Sequence, residues 1–340
     1  MPSTVFCRRW VSTASLLLAA AFAAPAQAAV AVSPYSGLFV FGDSLSDNGN
    51  NAAVLFNAPY FLPPTQPSDI TSNRFVALVP SISGTYSNGP VWVDSVATAL
   101  LGSAFPARAA LLGGTNYASG GAETGLSTPV PGSTFPTFSL QNQVDFYLGS
   151  LGGAAAPSDA LYVVQGGANN VRRLLATGAA FNPLTVSQEA AAYASDVGGL
   201  VDQLQLAGAR NIIVWNTPNA GLTPEVLSFG AAASVLATSV ATQFNNELAT
   251  RLVGEVGVKT FDIFGVVANF SNVTDACGNV ALNCGATPQF WDGIHPTAGA
   301  HALIAQDFLA LATPVPEPST YAMFLIGLVG CGWAVCRRRI

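Results

Sequence analysis

Four short apolar runs constrain this 340-residue chain more than any other feature: Leu38 to Phe41, Leu161 to Val164, Asn211 to Trp215 and Val258 to Ile263. Runs of this length, rich in Val and Ile, fit strands buried on both faces of a parallel sheet. Parallel neighbours need long crossovers, usually helical, and helix-compatible stretches lie at Val91 to Leu101, Glu189 to Ala207, Ser228 to Val253 and Thr297 to Leu311. The expected fold class is α/β, a three-layer α/β/α sandwich with a mainly parallel central sheet. Such sheets hold ligands beyond the carboxyl ends of their strands. Ser44, the turn Gly166 to Asn170 and the turn Asn216-Thr217-Pro218 all follow apolar runs, so they are expected on one rim. Proline-rich stretches, Asn57 to Gly89 and Thr124 to Phe138, read as surface loops walling that rim.

Both ends of the chain carry sorting chemistry. Residues 1–28 read as a secretory signal, with Arg8 and Arg9 at the charged start, Leu16 to Ala24 as the apolar core and Ala26-Gln27-Ala28 as the cleavage site. Residues 314–340 hold Pro316-Glu317-Pro318, an apolar stretch from Tyr321 to Cys336, and Arg337-Arg338-Arg339. Physically this is a short membrane-spanning segment with a basic stop on the cytoplasmic side. Its order also resembles the PEP-CTERM sorting tail of Gram-negative bacteria. That resemblance implies transient anchoring in the membrane, an exosortase as partner, removal of the tail, and delivery to the cell surface or an exopolysaccharide matrix.

Between the signals, residues 29–313 are expected to form one domain. Five of the twelve basic residues (Arg8, Arg9 and Arg337 to Arg339) and one of the eighteen acids (Glu317) belong to the signals. The domain is therefore strongly acidic, which argues against nucleic acid or an anionic lipid surface as an electrostatic partner. Cys277 and Cys284 are its two cysteines, and in an oxidising compartment they are expected to pair. A disulfide closing so short a loop contributes up to about 2.5 kcal/mol on the chain-entropy model. With two histidines and no CxxC or HxxxH spacing, the chain offers no zinc site.

One of those histidines, His295, lies in Asp292-Gly293-Ile294-His295-Pro296, and Ser44 lies in Phe41-Gly42-Asp43-Ser44-Leu45 just past the first apolar run. An imidazole titrating near neutral pH is the usual base for a serine nucleophile. Two further segments, Asn116-Tyr117-Ala118-Ser119-Gly120-Gly121 and Gly167-Ala168-Asn169-Asn170, complete a series that resembles the SGNH, or GDSL, hydrolase superfamily, whose fold is flavodoxin-like. The strings Phe-Gly-Asp-Ser-Leu-Ser-Asp and Ser87-Asn88-Gly89 with Trp92-Val93-Asp94 are most similar to the branch of plant GDSL lipases and bacterial hemolysin-type phospholipases.

The resemblance implies a serine esterase or lipase without metal or organic cofactor. Ser44 is the implied nucleophile, His295 the base and Asp292 the acid that orients it. The Ser44 amide, the amide of Gly121 or of Gly120, and the Asn169 side chain are the implied oxyanion donors. Asn170 stands where the family commonly has Asp, which touches a supporting hydrogen bond and leaves the Asn169 donor intact. The stretch Gly42-Asp43-Ser44-Leu45-Ser46 lacks the second glycine of a Gly-x-Ser-x-Gly elbow, so an α/β-hydrolase fold is disfavoured. The substrate is an ester: lipid, small soluble ester or acylated polysaccharide, with acyl transfer or a catalytically idle matrix-binding protein as alternatives. His301 is expected on the surface or in packing, and Asp43 and Asp47 as turn and cap residues.

Overall fold

The computed structural model describes residues 33–56, 84–125, 138–270 and 289–313. Four parallel strands, β1 (Leu38–Phe41), β2 (Leu161–Val164), β3 (Asn211–Trp215) and β4 (Val258–Phe261), lie side by side in that order. The first three apolar runs form these strands as expected. The fourth ends two residues early, because the Asp262 side chain accepts the Gly265 N–H and opens a helix at Ile263. Nor is β4 buried throughout: Lys259 and Thr260 are exposed on the sheet's edge.

Period-two alternation sorts the strand residues onto two cores. Phe41, Tyr162, Val164, Ile212 and Val214 face one side. They pack there against helices α3 (Leu140–Ser150), α4 (Ala168–Ala176), α5 (Pro183–Ala207) and α7 (Ala231–Arg251). Leu38, Val40, Leu161, Val163, Ile213, Trp215 and Phe261 face the other side, covered by α2 (Trp92–Leu101), α8 (Ile263–Ala268) and α9 (Ala298–Ala312). Two short helices, α1 (Asn50–Phe56) and α6 (Pro224–Leu227), lie at the carboxyl rim. The result is a three-layer α/β/α sandwich.

Caps explain where the observed helices depart from the expected ones. Asn182 accepts the N–H groups of Leu184 and Thr185, with Pro183 behind it, so α5 begins six residues before Glu189. Thr297 accepts the Ala300 N–H as the cap, so α9 begins at Ala298, one residue after the expected Thr297. Helices α1, α3, α4, α6 and α8 were not foreseen.

A parallel bridge on the outer side of β1 fixes the topology. Val40 pairs with Asn116, its N–H donating to Thr115 and its carbonyl accepting from Tyr117. β1 therefore sits between this bridge and β2. The chain leaves β1 outward through α2 to the bridge and returns through α3 to β2 on the other side. Right-handed crossovers running in opposite directions put these helices on opposite faces. The reversal makes the carboxyl end of β1 the topological switch point, where doubly wound sheets open a crevice. Ser44 is three residues beyond that end.

Candidate active site

The turn that presents Ser44 is built by Asp43. Its carbonyl accepts the N–H groups of Ser46 and Asp47, and its carboxylate accepts the Leu45 N–H at 3.0 Å. Beneath it, the Gln165 side-chain oxygen accepts both the Asp43 N–H (3.1 Å) and the Ser46 hydroxyl (2.9 Å), and Trp92 donates to Ser46 at 3.0 Å. Gln143 reaches up from α3 to bond the Gly42 N–H and carbonyl. Burial pushes the Asp43 carboxyl above its ordinary pKa, opposed by the Leu45 N–H, Gln165 and His295. Asp47 folds its carboxylate over the entry to α1, accepting from Gly49 and Asn50. Both aspartates are thus turn and cap residues, as expected.

From the far end of the chain, the loop before α9 brings His295 to this turn. Its Nε2 lies 2.8 Å from Ser44 Oγ and its Nδ1 lies 2.7 Å from Asp292 Oδ2. The other Asp292 oxygen accepts the N–H groups of Ile294 (2.8 Å) and His295 (2.7 Å), closing the loop on itself. Burial raises the Asp292 pKa, but the facing imidazole, its hydrogen bond and the two backbone donors outweigh that and hold it below the ordinary carboxylate value. The loop is braced by Ser87, whose hydroxyl donates to the Pro296 carbonyl, and by Asn88, which accepts the Ala298 N–H. The Tyr86 ring lies against the imidazole with centroids 5.2 Å apart.

Of the expected oxyanion residues, Asn169 lines the same cleft as Ser44, and its side chain is tied to Ala122, the neighbour of Gly121. Gly121 closes a turn in which the Ala122 N–H donates to the Ser119 carbonyl, at a φ of 84° that favours glycine. The Gly120 N–H is already donated to Asp47 Oδ2 at 3.0 Å, whereas the N–H groups of Gly121 and Ser44 have no partner among the described residues. Of the two glycines, only Gly121 has its N–H free for an oxyanion. Asn169, at the start of α4, donates one side-chain N–H to the Ala122 carbonyl at 2.9 Å, leaving the second for a ligand. Asn170 bonds the N–H and hydroxyl of Thr124, so the amide that replaces Asp still makes a supporting hydrogen bond.

Ser44, Asn169, Pro218 and His295 all line one cleft of about 680 Å³, its open mouth included, so the three strand-end turns do share a rim. Its walls are mostly apolar, including Leu45, Val226, Ile263, Val267, Phe290 and Ile304. Arg172 and Glu225 close one side through two bonds of 3.2 and 3.3 Å. His301 is a packing residue, buried on α9. Sequence reasoning missed Gln143, Gln165, Asn51 and Tyr86. Tyr86 directly precedes the quoted Ser87-Asn88-Gly89, and Asn51 lies four residues past the end of Phe-Gly-Asp-Ser-Leu-Ser-Asp; Gln143 had no local signal. Cys277, Cys284, the amino-terminal signal and the tail lie outside the described residues. Among the described residues no helix is long and apolar enough to cross a membrane.

A parallel sheet whose switch point carries this serine, histidine and aspartate defines an SGNH-type α/β protein. The chain belongs to the GDSL-like lipase/acylhydrolase family, whose model matches residues 38–308, and the PEP-CTERM protein-sorting motif matches residues 314–339. Esterase EstA of Pseudomonas aeruginosa is 32% identical over 343 residues, covering 86% of this chain and 48% of that protein. A GDSL esterase/lipase of Arabidopsis thaliana is 28% identical over 333 residues, covering 84% of this chain and 91% of that protein. Lipase 1 of Photorhabdus luminescens is 31% identical over 195 residues, covering 57% and 24%. The chain spans about half the length of the first curated relatives it matches.

Proposed function

We propose that this protein is an exported serine esterase or lipase that hydrolyses carboxylic esters. The observation that carries the reading is the continuous relay Ser44 Oγ to His295 Nε2, His295 Nδ1 to Asp292, at the switch point of the sheet. In the reaction the Ser44 oxygen bonds to the ester carbonyl carbon while its proton passes to His295 Nε2. The carbonyl oxygen, now negative, takes hydrogen bonds from the Ser44 and Gly121 amides and the second Asn169 N–H. His295 then gives its proton to the departing alcohol. A water, deprotonated by His295, attacks the acyl-serine; the acid leaves and Ser44 recovers its proton. Asp292 holds the imidazole in the tautomer that accepts at Nε2 and stays ionised throughout.

Membership of the GDSL-like family and the names of the relatives, two of them esterases and one a lipase, support ester hydrolysis. The apolar cleft walls favour an ester with an apolar acid or alcohol part over a bare sugar acetate. The PEP-CTERM motif supports export through an exosortase and residence at the cell surface. The test is turnover of p-nitrophenyl esters of increasing acyl length by the purified protein and by Ser44→Ala. Activity lost in the variant, with an optimum beyond acetate, is the expected result. A folded native protein that neither turns over any ester nor is labelled at Ser44 by an alkyl phosphonate would sink the reading and leave a matrix-binding role.

A further inference from the structure

We infer that Asn51 is a positioning residue for the oxyanion hole, acting through the peptide between Gly120 and Gly121; this rests on Gly121 donating to the oxyanion. In that peptide the Gly120 carbonyl and the Gly121 N–H point in opposite directions, because the unit is planar and trans. Whatever fixes the carbonyl therefore aims the N–H. Asn51 Nδ2 donates to the Gly120 carbonyl at 3.0 Å. A carbonyl oxygen can only accept, so the nitrogen of the Asn51 amide must face it.

The peptide needs such a hold. Residues 119 to 122 form a β-turn closed by the Ala122 N–H on the Ser119 carbonyl, with positive φ at Gly121 and not at Gly120, which is the type II form. Type I and type II differ by a rotation of the central peptide of roughly 150–170°, which would reverse the direction of the Gly121 N–H. Glycine on both sides removes the Cβ atoms that would otherwise bias the choice. Asn51 Nδ2 can donate to the Gly120 carbonyl only in the type II orientation. A donor on that carbonyl also polarises the peptide, strengthening its N–H as a donor.

Asn51 is itself held at three points. Its Oδ1 accepts the Ser119 hydroxyl at 2.7 Å, its Nδ2 also donates to the Tyr86 hydroxyl at 2.8 Å, and its backbone N–H reaches Asp47 Oδ2. The same Asp47 oxygen takes the Gly120 N–H, so the peptide groups on both sides of Gly120 are pinned from the first turn of α1. Tyr86 completes the connection. Its ring fills the space over Gly120, where a Cβ would come within 2.3 Å of it, and lies against the His295 imidazole. One buried tyrosine thus holds both the base and the residue that aims the oxyanion donor.

The experiment compares the full chain with Asn51→Leu and Asn51→Asp, using p-nitrophenyl butyrate turnover and the Gly121 amide signal in ¹⁵N NMR. Asn51→Leu is expected to lower kcat by about 10- to 100-fold, less than outright loss of a donor, with KM within about threefold. Asn51→Asp, which faces the carbonyl with an acceptor, is expected to lower it further. In the free protein the Gly121 amide is expected as one sharp signal, doubled or broadened in Asn51→Leu as the turn samples both forms. That signal needs no turnover, so it tests the inference even if the esterase reading fails. A folded Asn51→Leu with native kcat and an unchanged Gly121 amide overturns it. Should Asn51→Leu not fold, Tyr86→Phe removes only the hydroxyl that steadies Asn51. A several-fold fall in kcat with Gly121 broadening supports the inference, and native behaviour in both overturns it.

Discussion

His295 and Ser44 are 251 positions apart in the chain, and their side chains meet at 2.8 Å. The two sit on different kinds of support. Ser44 is placed by the switch-point end of β1, whereas His295 is placed by a loop closed on its own aspartate and braced by Ser87 and Asn88. The relay therefore reports on the packing of β1 and α9 together: it forms only when both are docked.

The two members of the relay nearest the ester should be far more sensitive than the third. Ser44→Ala and His295→Ala are each expected to lower kcat by roughly 10⁶-fold, and Asp292→Ala by roughly 10⁴-fold or less. Asp292→Ala also abandons the Ile294 and His295 N–H groups, so it should cost about 1–3 kcal/mol of stability as well. Ester turnover and urea unfolding of the three variants check both statements. Equal losses of activity in all three would show that Asp292 does more than orient.

His301 gives a pH dependence of stability. It is fully buried, both ring nitrogens lack partners among the described residues, and burial, with the nearby His295, pushes its pKa down to about 3 from 6.5. The unfolded chain therefore binds a proton that the native state does not. Stability is present in full above about pH 6.5 and falls toward pH 3, by up to about 1.4 kcal/mol per pH unit. His301→Leu should match the native protein at pH 7 and be the more stable at pH 4.5, with urea midpoints as the readout. Parallel loss in both proteins would exclude this histidine as the source.

The support beneath the nucleophile can be loosened without touching the relay. Trp92 is wholly buried between Trp215 and Phe308, and its indole N–H donates to Ser46, which in turn donates to Gln165. Trp92→Phe keeps most of the apolar volume and removes that donor. It should destabilise the protein by about 1–3 kcal/mol and lower kcat modestly, because Gln165 also holds the Asp43 N–H. Thermal unfolding and turnover should move together. A full loss of stability with native kcat would separate the indole from the nucleophile turn.

Much of this organisation was legible in the sequence. Three of four strands could be read to the residue because Val, Ile and aromatic runs buried on both faces leave no other pattern. The fourth was read too long because Asp262 caps a helix inside an apolar string. Ser44, His295, Asp292 and Asn169 could be named because their chemistry sits in short local strings. Asn51, Tyr86, Gln143 and Gln165 could not, since their roles arise from contacts across 35 to 122 positions. The choice between Gly120 and Gly121 likewise needed the Asp47 hydrogen bond.

Two adjacent asparagines at the start of α4 separate catalysis from stability. Asn169 lines the cleft, and its bond to the Ala122 carbonyl fixes the amide plane so that the second N–H can meet a developing oxyanion. Removing one such donor costs about 2.7–4 kcal/mol of barrier, so Asn169→Ala should lower kcat by roughly 10²–10³-fold with little change in KM or unfolding midpoint. Asn170 points inward instead, 6% exposed, and bonds the N–H and hydroxyl of Thr124. Asn170→Ala leaves those two groups without their partner and should cost about 1–3 kcal/mol of stability while sparing most of the turnover. Asn170→Asp keeps the acceptor for the Thr124 N–H but loses the Nδ2 donor to the Thr124 hydroxyl, whose own proton goes to Asp196, so it should recover only part of the stability that Asn170→Ala loses. If Asn169→Ala proved as active as the native enzyme, the oxyanion would have to be held by the Ser44 and Gly121 amides alone.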